Sequence, residues 1–218
     1  MVDQVREPKI AKRKVTSQGI EKLVTQAEKN MTSYDFPAAL DIFDLALSEL
    51  EQISSNNDRG KSAQLEMNYR IRNDRAKCYH QLAQVNLENN ELKVMEALAD
   101  EVSDSLRKVN VLNRLAENKF VSGDSEEAES LSKAALELAQ DIGDQDEEAQ
   151  SMMLLSQVQL QIGETEDSDR NNKLALAIFR DTGNLSGQSR CLRNMAFNGA
   201  RSGEQAKNVE LYAKQALE

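Results

Sequence analysis

The sequence has no tryptophan and contains few of the residues that interrupt helices. Aromatic residues make up 4% of its 218 positions, and only 9 glycines and 2 prolines occur. Proline removes a backbone donor, and glycine loses more conformational entropy on folding than any other residue, so long helices contain little of either. The composition therefore argues against an all-β fold and favours an all-α one.

Signals for export and for membrane insertion are also missing from the sequence. The first fifteen residues have no apolar segment after their charges, unlike a secretory signal peptide. No stretch approaches the roughly 20 apolar residues that a transmembrane helix needs. Cys78 and Cys191 are the only cysteines, too few for a fold held together by disulfides, and we expect both to be buried thiols in a reducing compartment. These features predict a cytoplasmic protein.

An excess of acidic residues argues against a general affinity for nucleic acid. The chain has 37 Asp and Glu against 27 Lys and Arg, a formal net charge of −10. Two basic groups stand out, one in an N-terminal arm and one along a predicted helix: Lys9, Lys12, Arg13 and Lys14, then Arg70, Arg72, Arg75 and Lys77. The second group spans several helix faces, which is typical of a solvated, salt-bridged surface. We expect no nucleic-acid partner and no membrane span.

Residues that could support catalysis or metal binding are scarce. The one histidine, His80, follows Cys78 within a helical run, where neighbouring positions do not face each other. An acidic run at 144–148 lies where a helix is expected to begin, and carboxylates there complement the helix dipole. Phosphate-binding, dinucleotide-binding and nucleophile-elbow motifs do not occur. We therefore predict no catalytic residue, no cofactor and no metal, and a protein that is not an enzyme.

An internal repeat is the strongest pattern in the chain. Gly123, Gly163 and Gly203 are 40 residues apart, and an acidic residue follows each of them. Gly143 and Gly183 lie midway between them. Glycine supplies the left-handed conformation that ends a helix, and the acid or Asn184 that follows can cap the next one. The pattern predicts a helix end about every 20 residues from position 123 onward.

Apolar and small residues recur with helical spacing between these glycines. In the first helix of each pair they are Leu112, Leu115 and Ala116, then Met152, Leu155 and Ser156, then Leu192, Met195 and Ala196. In the second helix they are Ala128, Leu131, Ala135 and Leu138, then Ser168, Ala175 and Ile178. Small residues at these positions allow two helices to approach closely. Two helices and two short turns in a fixed period are typical of an α-solenoid.

These residues resemble the tetratricopeptide repeat, in the longer, 40-residue variety that occurs in kinesin light chains and bacterial regulatory proteins. The resemblance implies an all-α, right-handed solenoid of antiparallel helix pairs with about five repeats. We expect a basic arm without fixed structure at 1–14 and a single repeat domain at 15–218. Its units are expected at about 17–53, 62–108, 109–143, 144–183 and 184–218.

The pattern is weaker upstream of position 109. Tyr79, Leu82 and Ala83 fit the first helix of a pair, Asn89-Asn90 then replaces the turn glycine, and Met95 takes a small-residue position. Nearer the N-terminus, Asp35 is a suitable N-cap, and Pro37 suits a first helical turn. The stretch 54–60 is rich in turn-forming residues and is interpreted as a loop insertion.

Binding residues are expected on the first helix of each pair, because the resemblance implies that these helices line a concave groove. Equivalent groove positions are Asn110, Gln150 and Arg190, then Asn113, Met153 and Arg193, then Glu117, Gln157 and Phe197, with Asn194 and Arg201 in the last repeat. In the longer repeats an asparagine at the position of Asn194 commonly holds a peptide backbone. Arg190, Arg193 and Arg201 could form a basic pocket for a carboxylate, which would favour an acidic partner.

Three functions are compatible with this sequence. The first is a scaffold that binds a peptide or partner protein in the groove. The second is the sensory or regulatory arm of a larger signalling enzyme or transcription regulator. The third is a self-assembling module, in which the C-terminal end, expected to lack a polar capping helix, pairs with another copy as a homo-oligomer.

Overall fold

The computed structural model describes residues 16–53, 57–202 and 206–217, and all of the regular secondary structure in those ranges is helical. The helices are α1 (Ser17–Thr32), α2 (Phe36–Glu51), α3 (Asp58–Gln81), α4 (Val85–Glu101), α5 (Ser105–Ser122), α6 (Ser125–Ile142), α7 (Gln145–Ile162), α8 (Thr165–Asp181), α9 (Leu185–Ser202) and α10 (Ala206–Leu217). The prediction of an all-α fold built from consecutive helix pairs is confirmed. The N-terminal arm at 1–14 and Gly203 lie outside the described residues.

The chain divides into two compact units, with the boundary between Leu82 and Ala83. In the first unit, α1 packs on α2 and α2 packs on α3. The interface is filled by fully buried side chains of all three helices, including Ile20, Phe43 and Ile71. On the surface of this unit, Arg70 pairs with two glutamates of α1, so basic residues of α3 take part in ion pairs, as expected for a salt-bridged surface.

In the second unit each helix packs against the next one along the chain from α4 to α10. Six of the small residues that the repeat pattern placed at helix contacts are fully buried, and a seventh, Ala196, is partly exposed. The six are Ala116, Ala128, Ala135, Ser156, Ser168 and Ala175. Burial of small side chains lets the helix backbones approach closely, as the pattern predicted. In addition, α5 contacts α7 and α7 contacts α9, so these three helices lie side by side.

Left-handed residues follow each helix from α3 to α8 at a fixed interval of 20. The predicted glycines Gly123, Gly143, Gly163 and Gly183 all have φ between 70° and 94°. Ala83 and Ser103 extend the same series upstream, each with φ of 54°. The 40-residue period therefore begins at position 83, one full repeat earlier than the glycines alone indicate. Tyr34, with φ of 61°, lies outside this series.

Two local predictions were wrong, each for its own reason. Asn89 and Asn90 lie within α4, and the turn expected there is formed by Ala83, because a left-handed alanine in place of glycine hid the register. Residues 58–60 begin α3 instead of forming a loop, because the side chain of Asn57 accepts a hydrogen bond from the backbone of Gly60 and caps the helix. Residues 54–56 of the expected loop lie outside the described part of the chain.

None of the helices in the described ranges is both long enough and apolar enough to cross a bilayer.

Candidate functional site

The first helices of the last three repeats, α5, α7 and α9, form one surface. Because the period is 40, equivalent residues of neighbouring repeats lie next to each other on it. Arg190 donates a hydrogen bond to the side-chain oxygen of Gln150 at 2.9 Å across the two helices. Asn110 of α5 donates in the same way to Glu147 of α7 at 2.6 Å. Two clefts open on this surface, one mainly polar and one mainly apolar.

The polar cleft has a volume of about 320 Å³ and brings together five of the residues predicted from the sequence. These are Asn110, Asn113, Glu117, Gln150 and Arg190. The remaining lining residues were not predicted: Arg114, Asp146, Glu147, Phe179 and Asn184. The groove positions on the first helices were therefore identified in part, and the residues at the helix N-termini that complete the cleft were missed.

Glu147 is a partly buried acid of the polar cleft. Its carboxylate accepts hydrogen bonds from the side-chain amides of Asn110 at 2.6 Å and Asn113 at 3.2 Å. Burial raises the pKa of Glu147, and the nearby Asp144 and Asp146 raise it further, while the two amide donors lower it. The net effect is a carboxyl group with a pKa above its usual range, held in place by neutral partners.

The basic pocket expected from Arg190, Arg193 and Arg201 does not form among the described residues. Arg190 lies in the polar cleft, whose lining also contains three carboxylates. Arg193 is exposed and lines neither cleft, and the side chain of Arg201 lies outside the described part of the structure. Arg190 and Arg193 therefore do not line a common cleft, and Arg190 lies beside three carboxylates, so the structure gives no support to the expected site for an acidic ligand.

The apolar cleft lies nearer the C-terminal ends of the same three helices and has a volume of about 480 Å³. Phe120, Leu160 and Phe197 supply its apolar surface, and Phe197 is 60% exposed. Four amide side chains complete the lining: Gln157, Gln161, Asn194 and Asn198. Of these residues, Gln157, Asn194 and Phe197 were predicted. An apolar floor ringed by groups that both donate and accept can hold an apolar side chain together with its peptide backbone.

Asn194 has a buried donor with nothing to donate to. Its Nδ2 atom is buried and has no hydrogen-bond acceptor in the described part of the chain. A buried unsatisfied amide destabilises the folded protein by about 1 to 3 kcal/mol. Such a donor in the lining of a cleft is satisfied when a ligand brings a carbonyl oxygen to it.

Two of the predicted groove residues are core residues in the structure. Met153 is 0% exposed and packs with Ala175, Phe179 and Cys191, so the thioether cannot contact a partner on this surface. Its inclusion was wrong because α7 is covered on more than one face by its neighbours. Asn113 is 5% exposed and bonds to Glu147 and Ser151, so it supports the polar cleft from beneath.

The two cysteines and the one histidine are the remaining reactive side chains that the sequence analysis considered. Cys78 is buried and His80 is exposed, so the two do not form a nucleophile–base pair. Cys78 and Cys191 are both free thiols, as expected. Burial is the main cause that raises the pKa of Cys78 to about 11 and that of Cys191 to about 12. Over the described ranges, no group of three or more metal-binding side chains occurs.

Comparison with known proteins identifies the repeat. A family model for the tetratricopeptide repeat matches residues 107–181, which contain α6, α7, α8 and nearly all of α5. No match was found among curated protein sequences.

Solved structures with a similar fold come from several kinds of protein. BtubC (BKLC) from P. vanneervenii has a TM-score of 0.71 at 16% identity, covering 91% of this chain and 78% of its own. A Signal Transduction ATPase with Numerous Domains that has a tetratricopeptide repeat sensor, from Pyrococcus horikoshii, has a TM-score of 0.75 at 15% identity, covering 91% and 29%. The Rap conjugation gene regulator of the plasmid pLS20, in complex with the Phr* peptide, has a TM-score of 0.69 at 15% identity, covering 99% and 58%. At these identities the likeness shows the fold alone.

Proposed function

We propose that this tetratricopeptide-repeat protein is an interaction module that binds an extended peptide segment of a partner protein across α5, α7 and α9. The observation that carries the proposal is the apolar cleft, with the exposed Phe197 and the unsatisfied donor of Asn194 in one lining. The apolar surface would take a side chain of the peptide, and Asn194 would donate to its backbone. No covalent chemistry is involved.

The fold and its relatives support this proposal from a second direction. A repeat array presents a preformed surface, so a peptide pays the entropic cost of ordering while the protein does not. The structure of the regulator from pLS20, similar in fold to this chain, is of its complex with the Phr* peptide. The same surface would serve a free-standing adaptor or the sensory arm of a larger protein, since the peptide would meet the same three helices in both. The two free, buried thiols suit a reducing compartment, so we assign this activity to the cytoplasm.

The proposal is tested by selection from a displayed library of random linear peptides. The chain is immobilised, and bound peptides are sequenced and resynthesised for affinity measurement. A peptide that binds in the cleft should lose at least tenfold in affinity when Phe197 is changed to Asp, because a charge then occupies the apolar surface.

A matched control separates the cleft from the rest of the surface. Leu174 lies on α8, outside both clefts, and is 47% exposed, so Leu174→Asp makes the same kind of change elsewhere. We expect Leu174→Asp to leave the affinity within about twofold. If the two variants weaken binding equally, or if the library yields no binder, the proposed function is wrong.

A further inference from the structure

We propose that the partner peptide carries a basic side chain that enters the polar cleft and, about three residues away, an apolar side chain that enters the apolar cleft. The inference rests on the proposed function and specifies the chemistry of its ligand. It assigns the polar cleft as a site for an ammonium or guanidinium group. It also reverses the sign of the partner charge that the arginines of α9 indicated from sequence.

The carboxylates of the polar cleft have no cationic partner in the described part of the chain. Glu147 accepts only from two asparagine amides. Asp146 accepts from the hydroxyl of Thr182 at 2.7 Å and from Asn184 at 3.3 Å, both neutral groups. The carboxylate of Glu117 forms no hydrogen bond and no ion pair with the described residues. Three negative groups therefore face one cleft without a positive charge bound to any of them.

The arginines of the cleft do not change this balance. Arg114 is paired with Glu88, whose side chain is almost fully buried, at 3.1 Å. Arg190 donates to Gln150 and leaves the carboxylates unpaired. Some other acids of the same unit do form ion pairs, as in the contact of Lys133 with Glu129 at 2.6 Å. Unpaired carboxylates in a recess, where burial strengthens electrostatic interactions, fit a cationic side chain supplied by a partner.

Asn194 connects the two clefts along α9. It lies one helical turn after Arg190, which lines the polar cleft, and just under one turn before Phe197, which lines the apolar cleft. Its buried, unsatisfied Nδ2 atom would donate to a backbone carbonyl in the segment between the two anchoring side chains. The unpaired carboxylates and this orphan donor are independent observations, and one ligand on this surface would satisfy both.

The spacing of the two anchors follows from helix geometry. Gln150 lines the polar cleft and Gln157 lines the apolar one, seven positions further along α7. At a rise of about 1.5 Å per residue the two positions are about 10.5 Å apart. An extended peptide advances about 3.3 Å per residue and covers this distance in about three residues. The net charge of −10 would speed the approach of such a basic segment.

Synthetic peptide pools test the inference directly. The first pool has Arg and Leu three positions apart, with mixtures of neutral residues at all other positions. The second has Glu in place of Arg, and the third has the Arg and Leu adjacent. Fluorescence anisotropy with the full chain is expected to give at least tenfold tighter binding for the first pool than for either of the others. Raising the salt concentration from 0.05 to 0.5 M should weaken binding of the first pool most.

Charge-neutralising variants test whether the preference for the Arg–Leu pool depends on the carboxylates of the polar cleft. Glu117→Gln and Glu147→Gln should each weaken binding of the Arg–Leu pool about fivefold to tenfold. Glu137 is exposed on α6, so Glu137→Gln removes one negative charge outside the clefts and should change affinity less than twofold. Circular dichroism of each variant verifies that it remains helical.

The outcomes separate this inference from the proposed function. If random-library peptides depend on Phe197 but the Arg pool binds no better than the Glu pool, the basic anchor is wrong while the proposed function stands. If Glu137→Gln weakens binding as much as Glu147→Gln, the effect is one of net charge, and the polar cleft is not the site. If no pool binds and Phe197→Asp abolishes a concentration-dependent association in sedimentation, the occupant is a second copy, and both proposals are wrong.

Discussion

Arg190 and Gln150 occupy equivalent positions of adjacent repeats, and their side chains form a hydrogen bond of 2.9 Å across the groove surface. Arg190 is also the one basic group of the polar cleft that is not paired with a carboxylate. It would repel a basic ligand and attract an acidic one. The sign of its effect on binding therefore distinguishes the two partner chemistries.

We expect Arg190→Gln to strengthen binding of the Arg–Leu peptide pool about threefold, because removing a like charge near the ligand lowers the electrostatic cost of binding. Fluorescence anisotropy measures the change, with the exposed Arg193→Gln, on the same helix but outside both clefts, as the control. If Arg190→Gln binds the Arg–Leu pool more weakly than wild type, the basic anchor is contradicted and the acidic partner expected from the sequence is favoured.

The left-handed alanine that begins the 40-residue series makes a prediction about stability. Ala83 has φ of 54°, a conformation that disfavours alanine by about 1 kcal/mol or more, while glycine adopts it without strain. Allowing for the greater entropy of glycine in the unfolded chain, Ala83→Gly should stabilise the protein by about 0.5 kcal/mol. Urea unfolding followed by circular dichroism measures this shift.

The converse substitution provides the control. Gly163 has φ of 94°, and a Cβ atom there would contact no neighbouring atom, so Gly163→Ala tests backbone strain alone. It should destabilise the protein by about 1 kcal/mol. If both substitutions shift the unfolding midpoint in the same direction, the left-handed backbone at these positions does not favour glycine over alanine as expected.

Close packing at the start of α9 leads to a third prediction. A Cβ atom on Gly187 would lie 2.5 Å from the ring of Phe179, which is buried in the core of the second unit. Gly187→Ala should therefore destabilise the protein by about 1 to 3 kcal/mol, although alanine has the higher helix propensity. Ser186→Ala, at the neighbouring exposed position, is the control for thermal unfolding. An unchanged or higher melting temperature for Gly187→Ala would show that the ring moves away freely.

Glu147 should make stability depend on pH in a defined direction. Its pKa is raised in the folded protein above the usual value of 4.5, chiefly by burial. The protonated form is thus favoured by folding, and the stability it contributes is present below pH 4.5 and lost as pH rises through the raised pKa. Glutamine does not titrate, so Glu147→Gln should not lose this stability as the pH rises.

The measurement compares urea unfolding of wild type and Glu147→Gln at pH 4 and pH 7. The variant should gain stability relative to wild type on going from pH 4 to pH 7. Glu137→Gln is the control, because it removes one exposed carboxylate elsewhere on the protein. A difference between wild type and Glu147→Gln that does not change with pH would mean that this carboxyl group titrates alike in the folded and unfolded chain.

The sequence predicted the repeat well wherever glycine marks the turns. The spacing of Gly123 and Gly163 located the ends of α5 and α7, since left-handed backbone at a helix end strongly selects glycine. Upstream, alanine and serine adopt the same conformation at positions 83 and 103, and neither residue type signals a turn. Extending the 40-residue interval backwards from Gly123 would have located this turn at Ala83. The turn-forming residue type instead favoured Asn89-Asn90, which lies within α4.

The groove could be predicted only in part, because the period identifies equivalent positions but not their burial. Asn110, Gln150 and Arg190 share one cleft, as the period indicates. Met153 has the same position in its repeat as Arg193, yet one is buried in the core and the other is exposed. The chemistry of the polar cleft also depends on residues that begin the next helix pair, such as Asp146. Their approach to the cleft follows from packing between repeats, which spacing along one helix does not reveal.

Site-specific cross-linking tests the central claim most directly. A peptide obtained from the random library is resynthesised with a photoreactive benzophenone at its apolar anchor, irradiated with the full chain, and the modified residues are mapped by mass spectrometry. Cross-links are expected on α5, α7 and α9 around the apolar cleft, at residues such as Leu160, Gln161 and Phe197. Cross-links confined to α4, α6, α8 or α10 would contradict the proposed function, because they would place the peptide on the second helices of the repeats.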